Sequence, residues 1–413
     1  MFGAIRPIVS LLAGVALVLL GAGLLNTLIP LRGHALGFSD SQLGMLTSAY
    51  FAGFLLGTFL APAMIRRVGH IRAFALFASL CACAALLHAL GDNIRLWLLL
   101  RLAIGTALVG LYTVIESWLN AQADPAHRGR LFAVYMIVNL ASLALAQQLL
   151  RVGQQREFVA FVLVALLICA SMLPVLWTRQ AQPQLHPVPK LALVRLINSA
   201  PSAAAGAVIS GLAMGAFWGL LPLYGANSGM DSGGVAAMMS SAIVGGAALQ
   251  WPLGRLSDGS DRRLALALVG AAAAAIAMLE PFADVAGLSG RGVIFLFGGM
   301  AFAIYPIAVA HLIDHLPPDD VVAASSGLLL LYGLGSTVGP LVGGVTMGWF
   351  GPGALFAWFA LTHAILAAIA AYRYLAFRRE QTEATRFAPM LRTTPASLEM
   401  LGPAEHEHSM RHD

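Results

Sequence analysis

Two ionisable residues, Arg101 and Glu116, interrupt one apolar run over residues 96–120. On a helix their spacing corresponds to about 60° around the axis and about 22 Å along it, so the side chains share a face but cannot touch. An arginine in hydrocarbon costs roughly 3 kcal/mol or more unless it meets water or a partner. Both residues are therefore expected to face an interior pathway, with Tyr112 almost directly below Arg101. The chemistry such a pair suits is proton coupling: Glu116 is expected to take up and release a proton as the pathway opens and closes, with Arg101 on the same route. An ion pair between Glu116 and Arg130 or Arg67 is the alternative.

Other reactive side chains cluster less tightly. His311, Asp314 and His315 fall at i, i+3 and i+4, a spacing that puts three potential metal ligands on one helical face. Their position beside Pro317-Pro318-Asp319-Asp320 favours instead an ion pair between Asp314 and Arg255 or Arg262, and no metal is expected. His406, His408 and His412 belong to a polar tail and read as solvated. Cys81, Cys83 and Cys169 lie in apolar runs, where they are expected to be small fillers. A phosphate-cradling loop needs a Gly-Lys pair, and the only lysine, Lys190, follows Pro189. Neither H-E-x-x-H nor G-x-S-x-G occurs. No enzyme activity, ATPase or cofactor is expected.

The elements that position these residues are membrane spans. With 59% apolar and 10% charged residues and a mean hydropathy of +0.81, a water-soluble fold would lack polar surface. About 20 apolar residues cross a bilayer as a helix. Twelve such runs are read: 8–31, 42–64, 73–91, 96–120, 131–150, 158–177, 203–224, 235–256, 264–279, 291–315, 321–349 and 354–376. Leu28-Ile29-Pro30-Leu31 with Gly33, Gly37, Ser48 and Gly53 recurs ungapped 192 residues later as Leu220-Leu221-Pro222-Leu223 with Gly225, Gly229, Ser240 and Gly245. The chain thus reads as a duplicated six-span unit, as secondary transporters often are. The expected domains are an N-terminal six-helix bundle (1–177), a Pro-rich linker (178–202), a C-terminal six-helix bundle (203–376) and a disordered tail (377–413). Within the linker, 190–197 reads equally as a short basic amphipathic helix or a loop. Arg32, Arg95, Arg151, Arg156 and Arg291 fall on one side and Arg101 within a span. The other 18 of the 24 Lys+Arg residues fall on the side of both termini, which the positive-inside rule makes cytoplasmic. The net charge of +5 then reflects loop topology, and no nucleic-acid partner is expected.

At the end of the eighth span the chain reads Q-W-P-L-G-R-L-S-D-G-S-D-R-R, residues 250–263. This resembles the loop motif G-x-L-x-D-x-x-G-[RK]-[RK] of the major facilitator superfamily. Gly254, Arg255, Leu256, Asp258, Arg262 and Arg263 match, and Asp261 stands where the family usually has Gly. The equivalent place in the first half keeps Arg66, Arg67, Gly69 and Arg72, but Pro62 and Arg66 replace the Gly and Asp. Together with Asp314 these residues are the expected inner gate. Arg101, Gly105 and Ala107 resemble the superfamily's R-x-x-x-G-x-[GA] pattern. The G-S-T-V-G-P-L-V-G-G stretch at 335–344 resembles a pattern of drug:proton antiporters, displaced here from span 5 to span 11, where close helix packing explains it better. Five segments, L-N-T-L-I-P-L (25–31), E-S (116–117), R-G-R-L-F-A-V-Y-M (128–136), Q-W-P-L-G-R-L-S-D (250–258) and Y-P-I-A-V-A (305–310), resemble the bacterial YcaD-like branch, which carries no agreed substrate. The resemblance implies an all-α membrane protein: twelve transmembrane helices, in two pseudo-symmetric six-helix bundles about a midplane cavity, with alternating access.

Asn26, Tyr112, Asn139, Trp218, Gln250, Tyr305 and Tyr332 are the polar and aromatic residues expected to line that cavity, and Gln147 and Tyr224 share their character. Such a lining suits a small amphiphilic organic solute. The expected protein is a monomeric, proton-coupled secondary transporter of the bacterial inner membrane, with the lipid bilayer, solute and protons as partners. An uncoupled facilitator or efflux exporter is the nearest alternative, and a transport-dead sensor or scaffold a different one.

Overall fold

Each apolar run of the chain folds as one helix or a broken pair. The computed structural model describes residues 9–122, 128–153, 157–176, 193–284, 287–317, 320–376, 387–390 and 394. Twelve candidate membrane spans lie among them, and the described residues contain no strand. The helices are α1 (Val9–Ala35), α2 (Asp40–Val68), α3 (His70–Leu90), α4 (Ile94–Gln122), α5 (Arg128–Gln148), α6 (Glu157–Ala170), α7 (Met172–Leu176), α8 (Leu193–Ser199), α9 (Pro201–Asn227), α10 (Ser232–Asp258), α11 (Arg262–Ala277), α12 (Leu288–Ile313), α13 (Val321–Phe350) and α14 (Ala354–Ala376). The sixth span is α6 and α7 broken at Ser171, whose hydroxyl bonds back to the Ile168 carbonyl at 2.6 Å. The short α8 covers part of the stretch read as either a helix or a loop; Lys190, His406, His408 and His412 lie outside the described residues.

The 192-residue offset extends from sequence to local structure. Helices α1 and α9 begin and end at offset positions, and each carries an internal proline, Pro30 or Pro222. The turns after them use Gly37 and Gly229 at φ 81° and 80°, a left-handed conformation that glycine adopts without steric cost. Ser39 and Asp231 then cap α2 and α10, each accepting a backbone N–H of the first turn. The same kinds of punctuation thus recur 192 residues apart, at the ends of α1 and α9 and the starts of α2 and α10.

Close approaches hold the helices together. A methyl group placed on Gly53 would fall on the backbone of Leu102, and one on Gly105 on that of Tyr50, so α2 and α4 touch backbone to backbone. Gly335 and Gly339 meet the Val208 and Leu212 carbonyls, and Gly344 meets Asp40 and Gly44. The glycine-rich stretch of α13 thereby packs on α9 at one point and on α2 at another. In lipid, where apolar surface gains little by pairing, such small-residue contacts are the main means of association.

Candidate functional site

The face at which α1 begins is called here the near face, and the face at which α1 turns into α2 the far face. At the far face the first and last sets of helices meet. Asn227 donates to the Asp40 carboxylate at 3.2 Å, Gln148 donates to Ser240 at 2.7 Å, and Gly219 sits directly on Thr47. Helix α2 runs along α13, α5 along α10 and α1 along α9.

Below this closure lies a cavity of about 90 Å³. Asn26, Tyr112, Asn139, Trp218, Tyr305 and Tyr332 all line it, joined by Tyr50, Phe51, Tyr135, Met214, Phe302 and Met390, which sequence reasoning did not single out. The lining comes from α1, α2, α4 and α5 on one side and α9, α12 and α13 on the other. Its character is aromatic: the Tyr305 and Tyr332 rings lie 4.9 Å apart, and Trp218 lies 5.8 Å from Phe302. Gln250 lies outside this lining; its amide donates to the Phe302 carbonyl at 3.3 Å and to the Met390 carbonyl at 3.2 Å. Gln147 accepts from the Thr27 hydroxyl at 2.7 Å, and Tyr224 donates to Glu280.

Arg101 is buried behind the cavity wall. Its two terminal nitrogens donate to Asn26 Oδ1 at 3.1 and 3.2 Å, and its guanidinium carbon lies 4.4 Å from the centre of the Tyr50 ring. The charge thus rests on an amide and an aromatic face. Glu116, nearer the near face, is also buried. The Tyr135 hydroxyl donates to Glu116 Oε1 at 2.6 Å, and the Thr394 backbone N–H to Oε2 at 2.8 Å, with the Thr394 hydroxyl on the same oxygen. Neither Arg67 nor Arg130 forms an ion pair among the described residues. Tyr135 lies within the R-G-R-L-F-A-V-Y-M segment, and that was the signal available for it.

The gate motif splits in two. In the second half Arg262 donates to Asp314 at 3.0 Å, to Asp258 at 2.8 Å and to the Ser257 hydroxyl at 2.8 Å. Arg263 donates to Asp261 at 2.8 Å, while Arg255 lies over the Trp251 ring at 4.5 Å. Burial alone would raise the Asp261 carboxyl, but hydrogen bonds from the Arg263 side chain and backbone outweigh it and hold the group below its usual value. These bonds join α10, α11 and α12 to one another. Asp314 is held by Arg262, and among the described residues no group of three or more His, Cys, Asp or Glu could hold a metal. In the first half Arg66, Arg67 and Arg72 are exposed, and Gly69 links α2 to α3 at φ 84°.

Asp258 and Gly254 have a further neighbour. The Phe387 backbone N–H donates to Asp258 Oδ1 at 2.8 Å, and the Phe387 ring lies against Gly254 where any side chain would collide with it.

A bundle of twelve apolar helices around an aromatic cavity describes a multi-pass membrane transporter. The family profile of the Major Facilitator Superfamily matches residues 11–304 and 203–401, and the chain belongs to that superfamily. An "Uncharacterized MFS-type transporter" of Yersinia pestis (strain Pestoides F) is 30% identical over 353 residues, covering 85% of this chain and 91% of the relative. The MFS-type transporter YcaD of Escherichia fergusonii is 31% identical over 337 residues, 81% of this chain and 87% of that one. Among solved structures, the nucleoside transporter NupG superposes with a TM-score of 0.74 at 15% identity over 90% of this chain and 99% of its own. A bacterial homolog of the human lysosomal transporter Spinster, in an inward-facing and occupied conformation, gives 0.69 at 17% identity over 91% and 96%.

Proposed function

We propose that this protein is a secondary active transporter that carries a small amphiphilic organic solute across the bacterial inner membrane by alternating access, coupled to protons through Glu116. The observation that carries the reading is the cavity itself, lined from both sets of helices, sealed at the far face by Asp40, Asn227 and the Gly44–Gly344 seam, and bordered toward the near face by Met390. In this reading 1–177 and 203–376 are two pseudo-symmetric six-helix bundles joined by the linker 178–202, and rocking about the cavity exchanges the open face. The arginine distribution supports a cytoplasmic near face, the face where α1 begins and α14 ends. The state seen is then the inward-facing one.

Five tyrosines, a tryptophan and two asparagines leave the cavity few full charges and many flat surfaces. That chemistry suits a solute with a planar or apolar body and one or two hydrogen-bonding groups. A thermal-shift screen of metabolites and antibiotics on the purified protein identifies a ligand, because binding to the folded state raises apparent stability. With that ligand in hand, cysteines placed beside Asn26 and beside Glu116 are labelled with an impermeant maleimide from each side of oriented vesicles. Reactivity that shifts from one face to the other on adding ligand is the expected result. Reactivity from one face only, unchanged by ligand or by a pH gradient, would leave a scaffold or sensor in place of a transporter.

A further inference from the structure

The mouth of the cavity at the near face holds a piece of the chain's own C-terminal tail. Phe387 is fixed at the end of α10 by Asp258 and Gly254, Met390 sits further in with its carbonyl on Gln250, and Thr394 reaches across to Glu116 on α4. Three tail residues therefore span from the second set of helices to the first. Four features of the mouth select this occupant. Asp258 and Glu116 each accept a backbone N–H, Gln250 donates to a backbone carbonyl, and Gly254 leaves room for an aromatic ring. That is the recognition pattern of an extended peptide, with main-chain bonds setting the path and one ring setting the register.

The occupant leaves little room for anything else. Met390 is 2% exposed and forms part of the cavity wall. The remaining volume of about 90 Å³ is about three waters' share of liquid, against roughly 300 Å³ or more in pockets that bind organic ligands. A solute of that size and Met390 cannot share the space. Tethering to α14 adds a high effective concentration, so modest contacts suffice for high occupancy.

We propose that Phe387, Met390 and Thr394 form an autoinhibitory plug, residues tethered to α14 that occupy the near-face mouth and must withdraw before solute can pass that face. Its regulatory meaning rests on the transport reading above; its occupancy of the mouth does not. With the plug seated, the near-face ends of the two sets of helices cannot close on each other, so it holds the protein in this one state. The plug also shields the Glu116 carboxylate, which ties its release to the residue proposed to carry the proton.

The test uses the full-length chain with Cys83 and Cys169 changed to Ser and a reporter, Ser210→Cys, in the cavity wall. Labelling by an impermeant maleimide from the near face is compared with the same protein carrying Met390→Asp and Thr394→Pro, changes that place a charge in the cavity and remove the two donors that Thr394 gives to Glu116. Labelling is expected to accelerate about tenfold or more, in proportion to the fraction of molecules the plug had closed. A synthetic peptide of residues 385–396 is expected to slow it again. Equal rates with and without the tail changes would overturn the plug, whatever transport assays show. Accelerated labelling in a protein that moves no solute would sustain the plug while removing the transport reading.

Discussion

The Tyr135 hydroxyl donates to Glu116 Oε1 at 2.6 Å, so the one buried carboxylate of α4 is held in place by its neighbour α5. A proton carried by Glu116 would have to enter or leave beside this bond. Glu116→Gln keeps the size and an acceptor oxygen but cannot titrate. Once divided by the thiolate fraction at each pH, the near-face reactivity of a cavity cysteine is expected to keep a pH dependence in the parent protein and to lose it in Glu116→Gln. Tyr135→Phe is expected to keep a pH dependence, displaced along the axis, and to cost about 1 kcal/mol of stability. A Glu116→Gln protein with the parental pH profile would take this residue out of the coupling.

Arg101 predicts opposite effects on stability and on function. Its charge is buried against Asn26 and Tyr50, with no carboxylate pairing among the described residues. Arg101→Met removes a buried charge at similar length, so thermal stability in detergent is expected to stay within about 1 kcal/mol of the parent or to rise. Ligand-induced stabilisation is expected to disappear. Arg101→Lys keeps the charge but loses the two-pronged contact with Asn26, and is expected to be the less stable of the two. The reverse order of melting temperatures would show that a buried positive charge, whatever group carries it, stabilises this site.

How much of this was legible beforehand depends on the range of the signal. The spans show in the sequence because each apolar run is local, and the α1–α9 correspondence shows because Pro30, Gly33 and Gly37 have counterparts at a fixed offset. The Arg262–Asp314 bond was within reach, since both residues lie at helix ends beside short loops. Tyr135 as the partner of Glu116 was not, because it depends on how α5 rotates against α4, and an apolar helix has no amphipathic stripe to reveal that rotation. The tail was hidden for a different reason. Its overall polarity indicates disorder, yet Phe387-Ala388-Pro389-Met390 is an apolar island within it, and average composition suppresses so short a signal.

The buried ion pair between Arg262 and Asp314 is expected to be the most costly element of the motif to break. Their side chains are 3% and 4% exposed. Asp314→Ala takes a carboxylate partner from the buried Arg262 guanidinium, and is expected to cost about 3 kcal/mol, seen as a lower melting temperature in detergent. Asp314→Asn keeps an acceptor and is expected to lose less. Equal and small losses in both would mean that Arg262 is held without Asp314.

Asp261 gives a pH test at the surface of the same cluster. Its carboxyl is depressed below its usual 3.8 by Arg263. Stability from this group is therefore full above about pH 3.8 and is lost as pH falls through the lower folded value. Asp261→Asn can still cap α11 but cannot pair with Arg263. It is expected to be about 1 kcal/mol less stable near neutral pH, a figure held down by partial exposure to water, and the difference is expected to shrink in acid below pH 3.8. A difference of the same size at both pH values would assign the effect to packing.

The far-face seam carries the last prediction. Gly44 faces the Pro340 carbonyl, and the Cα atoms of Gly44 and Gly344 pass so closely that a side chain on either has no room. Gly44→Val must push α2 away from α13, because the atoms that its side chain would meet are backbone. On the alternating-access reading proposed above, this contact must break when the far face opens, so the substitution is expected to penalise the state seen here and to favour one open at the far face. A cysteine at Ser210 is then expected to become reactive from the far face and less so from the near face, with the helix content unchanged. Should Gly44→Val lower the melting temperature yet leave the sidedness of labelling as it was, the seam would be ordinary helix packing and the gate would have to be sought at Asp40 and Asn227.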